Sequence, residues 1–497
     1  IQDDDTKPTL SVDDIQVVEP SSGTRNADFT VSLSQVWTSA VMVDYTVAAL
    51  TATAGQDFNT GTGTVTINAG DPTGTISVPV LADDSFEPNE TFSVTLENAV
   101  NADLLDATGI ATIVDPAFEP VLAITDEEAL SAAGPAAVVV SPDGMHVYVA
   151  GYADDSIYLF DRELDSGALT LVTRYDSAVT GFEGVLLDQA TDLAVSSDGA
   201  YLFAVAAASQ AVNVFARDTA TGGLTMMDAM SGPNLAGAIS VALSPDDRHV
   251  YVAAESAHSV SVYHWDATLG ELSFVETESD GSGAVDGING ATSVAVSIDG
   301  RQVYVTGAGN DHAVAIFARD DAPGSTDYGK LTYKGLVRDD QAGVSGINSA
   351  SSAALSPDGV YLYVSGETDS AVAQFEREPW TGELTWMAQK TSGEDGVAGM
   401  QGPLKVAVSN DGNYVYVLGL TDSSLVAFLR NRDQAPADYG SLRVIQNMID
   451  GDNGVTGLYA PSDMAVSPDD HHLYITTFDS VLVLQRGAIL IFGSSFE

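Results

Sequence analysis

The sequence predicts an all-β protein, in which an immunoglobulin-like sandwich is followed by a seven-bladed β-propeller. Two observations predict this fold. Stretches that alternate apolar and polar residues follow one another closely through about the first 115 residues, with Gly, Asn, Asp and Pro between them and almost no helix signal. The rest of the chain repeats a four-strand pattern seven times.

The composition excludes several classes of partner. The chain has 497 residues, with 18 Lys plus Arg against 70 Asp plus Glu, so its formal net charge is −52. We therefore expect binding neither to nucleic acid nor to anionic membranes, because phosphate binding needs clustered Lys and Arg. Apolar residues make up 45% of the chain but come in short runs. Membrane insertion is not expected, since a spanning helix needs about 18 consecutive apolar residues.

The acidity has two explanations, which the composition leaves open. One is a solvated surface suited to high salt, and the other is binding of multivalent cations, since calcium takes six to eight oxygen ligands. The chain contains no cysteine, which excludes disulfides, thiolate metal sites and iron–sulfur clusters. An extracellular protein without disulfides needs another means of stabilisation, and calcium would provide it.

The strand-like stretches of the first domain are "FTVSLS", "VMVDYTV", "GTVTI", "GTISVPVL", "TFSVTLENA" and "GIATIVD". Together with the phrases "VVEP", "TATAGQDF" and "INAGDPTGTISVPVLADDSFEPNETFSVTL", they resemble the Calx-β domain, in the family's order. The resemblance covers the whole of residues 7–117, which we take as this domain.

The resemblance implies calcium as a cofactor, because calcium-binding members gather carboxylates at one end of the sandwich. The matching positions are Glu19, Asp57, Asp83, Asp84, Glu87 and Asp115, with Glu90 beside them. Crowded carboxylates repel one another unless a divalent ion neutralises them. The chain departs from the pattern at Ala82 and Pro116, where the family often has acids. A purely structural sandwich is the alternative.

The first six residues resemble an ending rather than a beginning. "IQDDDTKPTLSV" matches the phrase at which one Calx-β domain of a tandem array passes to the next. We therefore interpret residues 1–6, with Asp3, Asp4 and Asp5, as the tail of a preceding copy or a linker. The sequence is then a fragment of a longer array, or this segment docks into a neighbouring molecule and builds a homopolymer. A frayed terminus is the remaining alternative.

Seven repeats fill residues 118–492, and residues 493–497 form a short tail. Each repeat contains a phrase such as "VVVSPDGMHVYVAG", whose serine recurs every 48 to 59 residues, at Ser141, Ser196, Ser244, Ser297, Ser356, Ser409 and Ser467. The "SPDG" turn predicts a hairpin, because Gly accepts a positive φ. Four strands per repeat make a propeller blade, and seven blades close a ring.

These repeats resemble the lactonase-like, or YVTN-type, propellers of bacteria and archaea, through phrases of the type "VAVSPDG", "VYV" and "DSxVxFxR". The resemblance is specific for the fold but not for an activity, since propellers host enzymes, binders and scaffolds. The strand that completes the last blade could be "VLAIT" at Val121 or "AILIF" near the other end. The sequence leaves this open.

Acidic residues recur in the loops of one propeller face, where a ring of carboxylates could hold calcium or meet a basic partner. They are Asp176, Asp280, Asp340, Asp395 and Asp450 before the inter-blade glycines, and Asp155, Asp311, Asp369, Asp422 and Asp479 between second and third strands. Asp450 and Asp452, in "DGDNG", are the best candidates for a calcium loop. The alternative is that these aspartates cap turns.

The histidines and arginines give three expectations. We expect His146, His249 and His472 to be exposed hairpin residues. His258 and His312 occupy corresponding loops of neighbouring blades and are the pair worth testing for acid/base or metal chemistry. Recurring arginines predict a structural ion pair, since an active site seldom repeats around a ring; they are Arg162, Arg217, Arg319, Arg377 and Arg430.

No catalytic motif is present, and we assign no catalytic residue. The leading hypothesis is a non-enzymatic, calcium-stabilised interaction or structural protein at the cell surface or outside the cell, such as an adhesin, a surface-layer protein or a filament subunit. Its partners would be other copies of the chain, or cell-surface protein or glycan. The alternatives are a secreted lactonase-like hydrolase and a binder of small molecules in the propeller channel.

Overall fold

The computed structural model describes residues 7–20, 23–82, 90–114, 122–130, 133–182, 184–431, 440–452 and 454–487. Contacts divide the chain into two compact units, and the second begins at Leu122. Across these ranges the structure consists of strands and one 3₁₀ turn, Pro233–Leu235. Within the same ranges there is no helix long and apolar enough to cross a membrane.

The first unit is a sandwich of two sheets. One sheet contains β1 (Thr9–Val12), β3 (Thr24–Leu33), β6 (Thr73–Leu81) and β8 (Asp103–Asp106), in the order β6-β3-β1-β8. The other contains β2 (Ile15–Val18), β4 (Val41–Ala49), β5 (Gly61–Ile67), β7 (Glu90–Val100) and β9 (Thr108–Val114), in the order β2-β9-β7-β4-β5.

The core of the sandwich is built around three phenylalanines. Phe58 stacks on Phe92 with ring centroids 4.4 Å apart, and Phe29 meets Phe92 edge to face at 6.0 Å. All three side chains are fully buried. The alternation of apolar and polar residues that predicts these strands therefore places one apolar face of each sheet against the other.

The second unit is a ring of seven four-stranded antiparallel blades. Blade one contains β11 (Pro135–Val140), β12 (His146–Gly151), β13 (Ser156–Arg162) and β14 (Leu169–Tyr175), and blade two contains β15 (Ala190–Val195), β16 (Tyr201–Ala206), β17 (Ala211–Arg217) and β18 (Leu224–Ser231). Blade three contains β19 (Ala238–Leu243), β20 (His249–Ala254), β21 (Ser259–Asp266) and β22 (Glu271–Ser279), and blade four contains β23 (Ala291–Val296), β24 (Gln302–Gly307), β25 (Ala313–Arg319) and β26 (Leu331–Arg338). Blade five contains β27 (Ala350–Leu355), β28 (Tyr361–Gly366), β29 (Ala371–Arg377) and β30 (Leu384–Thr391), and blade six contains β31 (Pro403–Val408), β32 (Tyr414–Gly419), β33 (Ser424–Arg430) and β34 (Leu442–Ile449). The first strand of each blade contacts the first strand of the next, so these strands surround a central channel.

The seventh blade joins the two ends of the propeller. It contains β35 (Asp463–Val466), β36 (His472–Thr476), β37 (Ser480–Arg486) and, as its outer strand, β10 (Leu122–Ala129). β10 runs antiparallel to β37, from Leu122 opposite Arg486 to Ala129 opposite Ser480. The early strand therefore supplies the outer strand of the last blade. Val121 and the "AILIF" segment lie outside the described residues, as does the predicted boundary between residues 117 and 118.

Six of the seven interfaces between neighbouring blades carry the same arrangement, which we call an arginine staple. Arg217, at the end of β17, donates to Asp143 of the preceding blade at 2.8 Å and to the hydroxyl of Tyr148 at 2.8 Å. It also donates to the carbonyl of Gly199 in its own blade. The ion pairs of the six staples are Arg162–Asp469, Arg217–Asp143, Arg319–Asp246, Arg377–Asp299, Arg430–Asp358 and Arg486–Asp411. The predicted structural role of the recurring arginines is therefore confirmed, and the structure adds Arg486.

The staples set the charge state of the hairpin aspartates. Burial alone would raise the pKa of Asp143, but hydrogen bonds from Ser141, the Met145 backbone N–H and Arg217 outweigh it and hold the pKa below its usual range. The same balance lowers the pKa of Asp469 to about 2. These carboxylates are therefore ionised where they face the arginines.

The expectation that His146, His249 and His472 are exposed is wrong. Their exposed fractions are 3%, 1% and 1%. Each lies at the start of a second strand, against the arginine of the next blade, and its Nδ1 faces that guanidinium, at 2.6 Å for His146. Burial and the nearby Arg319 lower the pKa of His249 to about 4. The prediction treated each hairpin as an isolated turn, and it did not include the neighbouring blade that packs over the histidine.

The interface between the second and third blades is the exception. Trp265 stands where the other blades have the staple arginine, and Phe203 stands where they have the staple tyrosine. The two rings meet edge to face with centroids 5.8 Å apart, and Trp265 is 2% exposed. Loss of the guanidinium is therefore matched by loss of the hydroxyl that would have accepted its hydrogen bond.

Candidate functional site

The two faces of the propeller differ in their connections. The loop face carries the loops between second and third strands and the loops between blades. The hairpin face carries the turns between first and second strands and between third and fourth strands. The central channel opens on the loop face into a cavity of about 790 Å³, which we call the channel mouth.

Charged side chains line the channel mouth together with several serines and threonines. Four of them are acidic and one is basic: Asp192, Glu255, Glu367, Asp463 and Lys405. His258 also lines it. A mouth with this lining attracts positive charge and hydrogen-bond donors.

The inner part of the site is a ring formed by the third residue of the first strand in blades one to six and by its equivalent in blade seven, which we call the channel ring. Its members are Ala137, Asp192, Ser240, Ser293, Ser352, Lys405 and Asp463. Several of them bond to the next blade. Asp192 accepts a hydrogen bond from the Val241 backbone N–H at 2.8 Å, and Asp463 accepts one from Val138 N–H at 2.9 Å. The channel ring therefore helps to hold the blades together.

Lys405 lies among the acids of the channel ring. Its Nζ is 2.7 Å from Asp463 Oδ1, and the carboxyl of Asp463 is almost fully buried. Burial and, to a smaller extent, nearby Asp463 raise the pKa of Asp192 to about 6, against the opposing charge of Lys405. Burial would lower the pKa of Lys405, but the two carboxylates outweigh it and hold the pKa above its usual value. Lys405 therefore stays charged, while Asp192 titrates near neutral pH.

The outer part of the site is a ring of residues just after the second strands, which we call the rim. Its members are Tyr152, Ala207, Glu255, Ala308, Glu367, Leu420 and Thr477. Glu255 and Glu367 are exposed on it. In blades one to six the backbone N–H of the rim residue bonds to the residue before the first strand of the same blade, as Glu367 N–H does to the Ser349 carbonyl at 3.1 Å. This fixes the rim side chains around the opening.

His258 and His312 make equivalent hydrogen bonds in two separate places. His258 Nδ1 accepts from Gly290 N–H at 2.9 Å, and His312 Nδ1 accepts from Ser349 N–H at 3.0 Å. Each histidine therefore anchors the entry to the next blade, in a backbone conformation with positive φ. Among the described residues, no hydrogen bond joins the two imidazoles. The predicted histidine pair therefore gains no support.

Several loop-face aspartates cap the loops between blades. Asp450 Oδ1 accepts from Leu458 N–H at 3.1 Å, and Asp339 Oδ1 accepts from Ile347 N–H at 3.2 Å. Asp450 thus repeats a structural bond of its neighbours, which agrees with the capping alternative. Asp452 is exposed. The calcium loop at Asp450 and Asp452 stays a prediction.

A cluster that sequence reasoning missed lies beside the fourth blade. Asp280, Asp286 and Asp311 offer oxygens within 4.8 Å of one another. Arg338 already bonds Asp286 at 2.9 Å and Asp311 at 3.1 Å, so a guanidinium neutralises part of the cluster. Asp286 lies six residues after Asp280, at a position where the repeats do not recur as acids. The repeat pattern therefore could not have added it to the ring of acids.

In the sandwich, Glu19, Asp57 and Glu90, the first residue of β7, are the calcium candidates that lie in the described residues. β2 and β9 run parallel and end together at Val18 and Val114. Glu19 N–H donates to the Val114 carbonyl, and Leu81 N–H, at the end of β6, donates to the Asp57 carbonyl. Asp57 is 6% exposed, and its carboxylate accepts from Thr53 N–H at 2.5 Å.

These pairings bring the strand ends next to the candidate positions towards one end of the sandwich. Asp83, Asp84, Glu87 and Asp115 themselves lie outside the described residues, as do Asp3, Asp4 and Asp5. Oxygen ligands on loops at one end of a sandwich suit calcium. The backbone therefore fits a calcium site there, and the ligand set stays a prediction.

Family models identify both domains. A model described as "Lactonase, 7-bladed beta-propeller" matches residues 115–236, 233–397 and 325–437, which together cover more than half of the chain. The chain belongs to the lactonase family of seven-bladed β-propellers. A second model, the Calx-β domain, matches residues 2–117. The fold class predicted from the repeats and from the sandwich motifs is therefore confirmed.

Solved structures support the lactonase-family fold at low sequence identity. A Bacteroides fragilis protein provisionally described as a 6-phosphogluconolactonase aligns with a TM-score of 0.50 at 16% identity, over 87% of this chain and 98% of its own. Hydrazine synthase of Kuenenia stuttgartiensis aligns with a TM-score of 0.52 at 18% identity, over 72% and 96%. The apo form of the Calx CBD1 domain aligns over 22% of this chain and 98% of its own, at 23% identity and a TM-score of 0.21. No curated protein sequence matches the chain.

Proposed function

We propose that this lactonase-family protein is a non-enzymatic interaction protein that binds a positively charged partner at the channel mouth. The observation that carries the proposal is the lining of the mouth, with four carboxylates against one lysine. The net charge of −52 adds long-range attraction for a basic protein surface. The Calx-β domain would serve as a calcium-stabilised spacer, and we place the protein outside the cell or on its surface.

The bonds of the channel ring support binding rather than catalysis. Both oxygens of Asp192 accept backbone N–H groups, from Leu193 at 2.9 Å and from Val241 at 2.8 Å. Asp463 accepts from Val138 and pairs with Lys405. Groups engaged in holding blades together are poor candidates for a general base, which must reach a substrate proton.

The test is binding of a fluorescent hexa-lysine peptide, measured by anisotropy at about 20 and 150 mM salt, where screening differs strongly. We expect the double variant Glu255→Gln/Glu367→Gln to weaken binding about tenfold at low salt. The matched control is Glu271→Gln/Glu383→Gln, which removes the same charge from exposed positions near the hairpin face. Equal weakening by both doubles, or no binding by the unaltered protein, would refute a specific basic site at the mouth.

One observation favours a second candidate function, hydrolysis of a lactone in the channel. Asp192 is a carboxyl with a pKa of about 6 on the wall of a polar cavity, as a general base at neutral pH would be. The B. fragilis relative is described as a lactonase for a phosphorylated sugar. The acidic mouth of this chain opposes a phosphorylated substrate, so an uncharged sugar lactone would be the better fit.

The hydrolase candidate has its own test. δ-Gluconolactone and its 6-phosphate ester would be offered to the intact protein, with the uncatalysed rate subtracted. Turnover of the neutral lactone that Asp192→Asn abolishes, while the fold is retained by circular dichroism, would establish this function. Absence of turnover with both lactones would leave the interaction protein as the better account.

Calcium binding is tested by scanning calorimetry of the intact, chelator-treated protein with and without added calcium. Ligand binding to the folded state stabilises it by about 1.4 kcal/mol at tenfold excess over Kd. We expect Asp57→Asn to reduce the calcium-dependent rise in Tm of the sandwich. A rise in Tm that survives in Asp57→Asn but is lost in Asp450→Asn/Asp452→Asn would move the site to the propeller.

A further inference from the structure

One point of the loop face breaks the sevenfold repeat, because two large aromatic side chains stand exposed in the last blade. Tyr459 is 62% exposed and Phe478 is 64% exposed. Their ring centroids lie 5.9 Å apart and the ring planes meet at 68°. The two residues are joined by a hydrogen bond from Phe478 N–H to the Tyr459 carbonyl at 3.2 Å.

The same backbone bond recurs in the other blades, with its donor one residue later in blade three, so the equivalent residues can be compared directly. The equivalent pairs in the other six blades are Ala133–Ala153, Asp188–Ala208, Ala236–Ala257, Asn289–Gly309, Asn348–Thr368 and Gln401–Thr421. None of these pairs contains an aromatic residue. The backbone of the fold therefore does not require aromatic side chains at this place, and two rings left in water add little to stability.

The position of the pair relates it to the candidate site. Asn289 and Gly309, its equivalents in the fourth blade, both line the channel mouth. The neighbouring blades place Leu420 and Tyr152 on the rim, 39% and 40% exposed. By this equivalence, the loop face beside the mouth has an aromatic and apolar side, formed by blades six, seven and one.

The opposite side of the mouth is acidic. Glu255 and Glu367 stand on the rim in blades three and five, and both line the cavity. Negative charge therefore lies on one side of the opening, and two inclined ring faces lie on the other. This combination suits a cation, because an ammonium or guanidinium group is attracted both by carboxylates and by the faces of aromatic rings.

We propose that Tyr459 and Phe478 form an aromatic platform that receives a lysine or arginine side chain of a partner protein, while Glu255 and Glu367 hold further positive charges of the same segment. This deepens the function proposed above and rests on it. The occupant is a basic peptide segment of the partner. A neutral glycan, which could also stack on exposed rings, is the competing occupant that the experiment must separate.

The experiment compares intact proteins that carry Tyr459→Ser/Phe478→Ser with the unaltered chain. The probes are fluorescent hexa-arginine, the same peptide with citrulline in place of every arginine, and maltohexaose as a neutral sugar. We expect the double variant to bind hexa-arginine about two- to thirtyfold more weakly, the range that one cation–π contact spans between exposed and desolvated sites. The matched control is Trp380→Ser, which removes an aromatic ring, 73% exposed, on the hairpin face.

The outcomes separate this inference from the proposed function. If the unaltered protein binds no hexa-arginine, the proposed function fails. If it binds and the double variant binds equally well, the mouth attracts cations but the aromatic platform is refuted. Binding of the citrulline peptide or of maltohexaose that the double variant loses would also overturn the assignment, since those probes are neutral. Urea midpoints within experimental error of the unaltered chain verify that both serine variants remain folded.

Discussion

The two faces of the propeller use aspartate in different ways. On the hairpin face, Asp143 and its five counterparts each meet a cation from the neighbouring blade, and the arrangement is repeated around the ring. On the loop face, Asp339 and Asp450 cap backbone N–H groups, while Glu255 and Glu367 are exposed around the channel mouth. Repetition identifies the groups that hold the blades together, and departures from repetition identify the surface that is free to bind.

The sharpest test of the hairpin face is removal of one staple. Arg217→Ala leaves the ionised Asp143, the Tyr148 hydroxyl and His146 facing an empty space at the interface between blades one and two. We expect a loss of about 3–5 kcal/mol in the free energy of unfolding, as found when one partner of a buried ion pair is removed. Urea denaturation measures it.

The control for this variant is Arg301→Ala on the same face. Arg301 is 37% exposed and pairs with Asp321 at 3.5 Å, so its loss should cost no more than about 1 kcal/mol. Equal losses in the two variants would show that the staples do not stabilise the ring.

The second test uses pH. The pKa of His249 is about 4 in the folded state and about 6.5 in the unfolded chain, so the unfolded state takes up the proton first as pH falls. His249 therefore lowers stability between pH 6.5 and 4, by roughly 3 kcal/mol at most. Gln302 occupies the same position in blade four and accepts a hydrogen bond from Arg377. His249→Gln should flatten the dependence of unfolding free energy on pH in that window.

The converse variant checks the assignment. Gln302→His places a histidine beside Arg377, and we expect it to steepen the loss of stability on acidification. A pH dependence unchanged in both variants would contradict a buried neutral histidine at this position.

The third test asks whether the exceptional interface is a matched substitution. Trp265→Arg alone places a guanidinium beside Phe203, and Phe203→Tyr alone buries a hydroxyl beside Trp265. We expect each to destabilise the protein and the double variant to recover part of the loss, with a coupling energy of about 1–2 kcal/mol in a double-mutant cycle. Additive losses would mean that residues 203 and 265 do not form a unit.

The smallest effect is expected on the loop face. Glu367→Gln removes an exposed charge that holds no blade in place, so the unfolding free energy should change by no more than about 0.5 kcal/mol. Asp143→Asn, which breaks the charge-assisted bond to Arg217, should cost about 2 kcal/mol by comparison. If Glu367→Gln costs as much as Asp143→Asn, the contrast between the two faces is lost.

The sequence predicts what repeats. The "SPDG" hairpins, the four strands of each blade and the structural role of the recurring arginines all follow from local patterns, and the structure contains them. The burial of His146 does not follow, because the arginine that covers it lies about seventy residues further along the chain. The channel ring is equally hidden from sequence reasoning, since Asp192, Lys405 and Asp463 become neighbours only when the ring closes. Tyr459 and Phe478 could have been found by aligning the repeats position by position.

The closure of the ring by β10 also affects how the propeller opens. The hydrogen bonds between β10 and β37 join residues about 360 positions apart along the chain, from Leu122–Arg486 to Ala129–Ser480. Every other blade is built from one continuous segment, so rupture of this single pair of strands releases the outer edge of the seventh blade without unfolding the other six. The rates of amide hydrogen exchange in β10 would therefore report how often the ring opens at this blade. A recombinant propeller that began after Ala129 would carry β37 as a bare edge, ready to pair with a strand of another molecule.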